Sequence, residues 1–271
     1  MIKMETLNEL TLKVQASPGT TLFTKTGAFI GGESMGPKNY KFDKVMFGPD
    51  EGQNMLGALG RQMMRRVTGE NLPLTKVICD GECTLYFANS AQHVVVYRLA
   101  MGEMISVESE NLLAFTPDCK YDVRFLAQGM ISQKGLCTSS LTGNGPEAYV
   151  AILLDGNPIV LNNLQGGTIV ADPDATVCWV GQGNVDPEVK LEMSWKNLIG
   201  QGSGESYVFE WNSYKPVTVL IQPNERQAGV SVSMDGGANG SRPVRQTFEV
   251  GGIGMNGMGG MNGMGGMGRL F

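Results

Sequence analysis

The sequence predicts an all-β protein made of three related β-subdomains, and three observations lead there. Short apolar or alternating runs, many rich in Val, Ile, Tyr, Phe and Thr, are broken by Gly, Pro, Asn and Asp about every ten residues, the spacing of strands and turns. One run with its turn, Leu112-Leu113-Ala114-Phe115-Thr116-Pro117-Asp118, returns as Thr168-Ile169-Val170-Ala171-Asp172-Pro173-Asp174. A fainter copy stands at Gly27-Ala28-Phe29-Ile30, with Gly31 and Gly32 as its turn. A second landmark, Pro18-Gly19, Met101-Gly102 and Gly166-Gly167, stands before a β-prone stretch in each unit.

In chain order, strands are expected at Leu10–Val14, Thr21–Thr24, Leu74–Cys79, Thr84–Phe87, Val94–Leu99, Met104–Val107 and Tyr121–Phe125. They continue at Ala148–Leu154, Pro158–Leu161, Thr176–Val180, Ser206–Trp211 and Pro216–Ile221. One segment has a different period. Met55 to Val67 spaces Leu56, Leu59, Met63 and Val67 by three and four, which predicts a short amphipathic helix ending near Gly69. A third landmark, a Gly turn before an apolar strand, is read at Thr68-Gly69, Thr142-Gly143 and Gly202-Ser203-Gly204. The approximate repeats are 7–100, 101–160 and 161–225 within an all-β body spanning 1–250. Units of this size favour three subdomains packed as a β-sandwich or prism-like body over a linear solenoid.

From Gly251 to Phe271 the composition changes to Gly, Met and Asn, and glycine at this density loses too much conformational entropy to fold alone, so a flexible tail is expected. Met255, Met258, Met261, Met264 and Met267 recur every third residue and would share one edge of a polyproline II helix. Three readings stand: an inert linker, an apolar stripe that orders on a protein or a membrane surface, and a thioether site for Cu(I). The ending Arg269-Leu270-Phe271 adds an apolar pair beside the terminal carboxylate, suited to docking in a groove. Extended as polyproline II at about 3.1 Å per residue, the tail reaches on the order of 65 Å.

Composition bounds the function. A folded chain of 271 residues buries roughly three quarters of its unfolded surface and needs no disulfide framework. Five scattered cysteines, Cys79, Cys83, Cys119, Cys137 and Cys178, fit a reducing compartment, so the cytoplasm is expected, with a peripheral place at a membrane or in a larger assembly left open. The N-terminal stretch carries Lys3, Glu5, Glu9 and Lys13 and lacks the apolar core of a signal peptide, and no run is long enough to span a membrane as a helix. A net charge of −5 and a pI near 5.1 repel nucleic acid. Arg61, Arg65 and Arg66 on the predicted helix form the chain's basic cluster, read as a solvated face with an anion-binding site as the alternative.

Chemical signatures are weak. Cys79-Asp80-Gly81-Glu82-Cys83 has C-x3-C spacing with no second pair, which favours two cysteines bracketing a hairpin turn over a zinc site. A nucleophilic triad would run through His93, the single histidine, and no nucleophile elbow or phosphate-binding loop accompanies it. Asp172-Pro173-Asp174 carries calcium-type ligands, but turn formation suffices to explain it. No catalytic residue, cofactor or metal site is expected.

Pro18-Gly19, the Arg66-Val67-Thr68-Gly69-Glu70 helix end, the Leu113-Ala114-Phe115-Thr116-Pro117-Asp118 stretch and the Gly129 to Gly143 segment together resemble the family named for altered inheritance of mitochondria, over about residues 7 to 225. The resemblance implies repeated sheets with a fold similar to that of the tryptophan RNA-binding attenuation protein. It also implies a homo-oligomer, since that broader fold tends to form rings, and it carries over no catalytic residue. Gly202-Ser203-Gly204-Glu205, where the other units have Thr-Gly, and the Gly/Met tail depart from the family pattern. The expected function is a non-enzymatic, self-associating scaffold or adaptor with the tail as attachment arm. The alternatives are a small-molecule or RNA-binding β-ring and a structural part of a larger particle such as a virion or secretion machine.

Overall fold

The sequence alternates between residues suited to pleated sheet and residues suited to turns, and in the computed structural model this gives nineteen strands among the described residues. The structure describes residues 1–36, 39–45, 74–125, 137–191, 207–212 and 214–223, all within one compact unit, Met1–Ala228. After an initial strand β1 (Ile2–Thr6), eighteen strands fall into three sets of six. The first set is β2 (Leu12–Ala16), β3 (Thr20–Lys25), β4 (Phe29–Ser34), β5 (Tyr40–Lys44), β6 (Leu74–Cys79) and β7 (Cys83–Phe87). The second is β8 (His93–Arg98), β9 (Glu103–Val107), β10 (Leu112–Phe115), β11 (Cys119–Phe125), β12 (Cys137–Gly143) and β13 (Tyr149–Leu154). The third is β14 (Ile159–Asn162), β15 (Ile169–Ala171), β16 (Thr176–Gln182), β17 (Glu188–Leu191), β18 (Tyr207–Trp211) and β19 (Val217–Ile221).

Hydrogen bonding makes these sets equivalent. In every unit the sixth strand lies between the first and the third, and the fifth lies between the second and the fourth, all antiparallel. Each third strand carries a β-bulge against its sixth strand at the same register, between Phe29 and Gly31, Leu112 and Ala114, and Thr176 and Cys178. The turn from first to second strand uses Gly19, Gly102 and Gly166 at φ of 80°, 75° and 88°, a left-handed conformation in which a Cβ would be strained.

Neighbouring units are joined by one further pairing. The second strand of a unit pairs with the third strand of the next, β3 with β10 and β9 with β16. Two six-stranded sheets result, β5-β6-β3-β10-β13-β8 and β11-β12-β9-β16-β19-β14. A four-stranded sheet, β1-β2-β7-β4, stands at one end and a three-stranded sheet, β15-β18-β17, at the other. Three apolar clusters lie between successive sheets, so the six-stranded sheets bury both faces. In β13, Val150, Ile152 and Leu154 face one cluster while Ala151 and Leu153 face the other, which is why this strand reads as an unbroken apolar run.

The all-β class, with related subdomains, is therefore the observed architecture. Among the described residues the one helical element is a 3-10 turn at Ser109–Asn111. The predicted helix at 55–67 and the tail at 251–271 lie outside them.

Two landmarks need correction. Leu112–Phe115 is a third strand, whereas Ile169–Ala171 is a second strand, so the two Pro-Asp stretches are not equivalent positions. A Pro-Asp turn serves wherever the chain leaves one sheet for another, and this happens several times per unit. The two carboxylates also work differently: Asp172 Oδ1 accepts the Asp174 N–H at 2.9 Å as a local turn former, whereas Asp118 Oδ2 accepts the N–H of Glu147 at 2.8 Å and pins a distant loop. Gly31 and Gly32 lie inside β4, at its bulge, and form no turn. The pairings also start the second unit at β8, ahead of residue 101, because the Gly102 turn joins two strands of one unit.

Phe115 is fully buried and stacks on Phe23 at 5.1 Å and on Tyr121 at 5.5 Å, tying the first unit to the second across the central cluster. Phe115→Ala is expected to cost about 3–5 kcal/mol, read as a lower midpoint in urea unfolding. A midpoint shift equivalent to less than about 1 kcal/mol would mean that this packing is not made.

Candidate functional site

The backbone groups that hold the units together are left open at the two ends of the body. β4 is the last strand of the four-stranded sheet and β15 the last strand of the three-stranded one. Among the described residues no strand pairs with the outer edge of either. By register β4 is the counterpart of β10 and β16, and β15 of β3 and β9. Ile30 in β4 is 59% exposed and Val170 in β15 is 53% exposed, whereas Leu113 and Val177, at the position of Ile30, are 0% and 1% exposed. Phe23 and Ser106, at the position of Val170, are 6% and 1% exposed.

Local chemistry keeps β4 thin. Its Gly32 occupies the register position of Phe115 and Trp179. A Cβ there would lie 2.9 Å from Leu85 Cδ2 and 3.1 Å from the Tyr40 hydroxyl. The volume an aromatic would take is filled instead from β5, where Tyr40 and Phe42 pack their rings against Phe29. Another edge is guarded: the Val94 N–H of β8 donates to the Glu9 carbonyl, and Thr6 Oγ1 donates to the Val94 carbonyl.

Cys79, Cys83, Cys119 and Cys178 are free, buried thiols. Burial pushes the Cys79 thiol up to about 12, with the neighbouring Cys83 adding to the shift. Burial likewise takes Cys119 up to about 12 and raises Cys83 and Cys178. Such thiols are protonated at neutral pH and make poor nucleophiles and poor metal ligands. The expectation of a hairpin between Cys79 and Cys83 is corrected: β6 and β7 belong to different sheets, so the turn carries the chain from one layer to another. Asn39 holds that corner, its carbonyl accepting the N–H groups of Asp80 and Gly81.

His93 opens β8 opposite Leu154, with Nε2 3.7 Å from a Glu9 carboxylate oxygen, in the arrangement of a surface pair. Among the described residues no group of three or more His, Cys, Asp or Glu side chains is placed to hold a metal ion. A cleft of about 210 Å3 lies between Phe29, Phe42, Thr24 and Thr75, and an open groove of about 550 Å3 runs past Gln15, Glu33 and Glu82 on the four-stranded sheet. The groove also holds Lys3, whose pKa is raised by its bond to Glu5, and Cys83, whose pKa is raised by burial. These shifts keep the amine charged and the thiol protonated at neutral pH and so run opposite to those of a poised base or nucleophile. Among the described residues no helix is long and apolar enough to cross a membrane.

The residues singled out from sequence, Arg61, Arg65 and Arg66 for anions and Met255, Met258, Met261, Met264, Met267, Leu270 and Phe271 for partners, lie outside the described residues. Sequence reading missed the two open edges. β4 left a trace in the contrast between Gly31-Gly32-Glu33-Ser34 and the stretches at the same place in the other units, which marks an unusual strand without marking an edge, and β15 left none.

Fold and edges together define a class of protein, a tandem all-β chain whose units are joined by sheet-edge pairing. The chain belongs to the mitochondrial biogenesis AIM24 family, which it matches over residues 4–224. A crystal structure of a Streptococcus pyogenes protein is similar to it with a TM-score of 0.60 at 19% identity, covering 83% of this chain and 94% of that one. At that identity the likeness shows the fold. No curated protein matches.

The thiol environment has a direct readout. A folded thiol that keeps its proton to about pH 12, against about 8.5 when unfolded, leaves the unfolded state with fewer bound protons between these values, so stability falls as pH rises through that window. At pH 8 a thiol reagent is expected to leave Cys79, Cys83, Cys119 and Cys178 unlabelled until urea unfolds the chain, as read by peptide mass spectrometry. Rapid native labelling of Cys79 or Cys83 would identify a reactive pair instead.

Proposed function

We propose that this chain is a non-enzymatic, cytoplasmic scaffold or adaptor that assembles with copies of itself, its Gly/Met tail serving as an attachment arm. The observation that carries this reading is the incompleteness of the end sheets. Inside the chain every joint between units produces a six-stranded sheet, while the ends carry only the three strands that one unit supplies, with β1 added at one of them. An open edge of unpaired N–H and C=O groups is a template for another strand, and oligomerisation is a common way to cover one. The acidic charge disfavours nucleic acid as partner. The methionine stripe of Met255, Met258, Met261, Met264 and Met267, followed by Leu270 and Phe271, suits capture of an apolar protein or membrane surface at a distance from the body.

Light scattering on a sizing column tests the reading with the full chain and with a chain ending at Val250. Both are expected to show the same multiple of their monomer mass, 29.1 kDa for the full chain, at micromolar concentration. A full chain that stays monomeric at all concentrations contradicts self-association. Assembly by the full chain alone transfers the role from the sheets to the tail.

A further inference from the structure

We propose that two copies of this chain join head to tail, the β15 edge of one copy pairing antiparallel with the β4 edge of the next, in the register already used twice inside each chain. This rests on the self-associating reading above and names the surfaces, their polarity and their alignment.

The internal joints supply the template. In β9–β16, Val107 is opposite Cys178, Ser106 opposite Trp179, Ile105 opposite Val180 and Met104 opposite Gly181. In β3–β10, Thr24 is opposite Ala114 and Phe23 opposite Phe115. The shared bulge aligns the third strands, making Gly31 equivalent to Ala114 and Cys178. The left-handed glycine and the inward-facing residues align the second strands, making Ile169 equivalent to Leu22 and Ile105. Transferred to the ends, Ala171 lies opposite Gly31, Val170 opposite Gly32, Ile169 opposite Glu33 and Thr168 opposite Ser34 of the next copy.

The product is a familiar object. β17-β18-β15 from one copy continues into β4-β7-β2-β1 of the next, reproducing the strand order of both internal six-stranded sheets with β1 as an added margin. Exposure gives independent support. Ile30 and Val170 are apolar and more than half exposed, yet every counterpart inside the chain is at most 6% exposed. They are uncovered because a neighbouring unit is missing at each end. The outer strands of the other edges have no such counterpart: among the described residues the fourth strands β5, β11 and β17 pair only with their own fifth strand, and the first strands β8 and β14 only with their own sixth. The contact is heterologous: β4 needs β15 and neither edge pairs with itself, so repetition gives a ring if the rotation closes and a filament if it does not.

Cysteine trapping tests polarity and register together. Full chains carrying Ser34→Cys and Thr168→Cys, both at exposed positions, are prepared separately and mixed under mild oxidation. The expected result is a dimer in which peptide mass spectrometry finds a disulfide joining position 34 of one chain to position 168 of the other, with neither variant cross-linking when alone. Ile30→Lys, at a surface position, is expected to lower the mass of the oligomer while leaving the urea midpoint unchanged. Cross-linking of one variant with itself overturns the proposal in favour of a two-fold edge contact. An oligomer by light scattering without the mixed link overturns the proposal but leaves self-association standing. Monomers throughout end both.

Discussion

The pairing of one unit's second strand with the next unit's third strand is the constraint on which the rest of the structure depends. It occurs as β3–β10 and as β9–β16, and it turns three small two-layered units into one stack of sheets. A sheet shared between units has neighbours on both faces, so its strands give up the polar face an isolated unit would need. Hence the wholly buried Leu112-Leu113-Ala114-Phe115 of β10, whose bulge sends Leu113 and Ala114 to one cluster and Leu112 and Phe115 to the other. The bulge inserts one residue, so two successive side chains leave the strand on the same side.

Burying both faces leaves little room for unsatisfied polar groups, and the structure meets this cost locally for most of them, Ser140 Oγ on β12 and Trp179 Nε1 on β16 being buried without a partner among the described residues. β12 is the informative case. Thr138, Ser139 and Ser140 are buried in the second shared sheet. Ser139 Oγ is within hydrogen-bond distance of the Tyr121 hydroxyl at 3.0 Å and of Ser109 Oγ at 2.8 Å, while Thr138 Oγ1 donates to the Val107 carbonyl at 3.0 Å. In the first shared sheet Thr116, just past β10, accepts the Tyr149 N–H and donates to the Glu147 carbonyl, tying that corner to the start of β13. Where the stack ends these demands lapse, and Gly31, Gly32 and the exposed Glu33 stand on β4 where the buried Ala114, Phe115 and Thr116 stand in the second unit and the buried Cys178, Trp179 and Val180 in the third.

This explains what the sequence made legible. The fold class was readable because apolar runs and turns alternate throughout, and the turns at Gly19, Gly102 and Gly166 marked second strands correctly because left-handed backbone demands glycine. The equivalence of the Pro-Asp stretches was misleading because a turn signal says that a strand ends and not which strand it was. β12 was invisible, since a run of Thr and Ser reads as loop until the hydroxyls across the sheet are known. β1 was overlooked although Ile2 and Met4 face inward and Lys3 and Glu5 do not, a period of two hidden by its charges. The open edges at Ile30 and Val170 could not be recognised as edges from sequence, because strand order is a property of long-range pairing.

Native-state hydrogen exchange at the internal joints tests the central claim most directly. The amides of β3, β10, β9 and β16 that pair across unit boundaries are expected to be protected as strongly as those of β13 and β19 within units, opening only with global unfolding. Exchange at the joints that is much faster than within the units would contradict the account. The chain would then be three independent subdomains placed side by side, and the shared sheets would not be what holds it together.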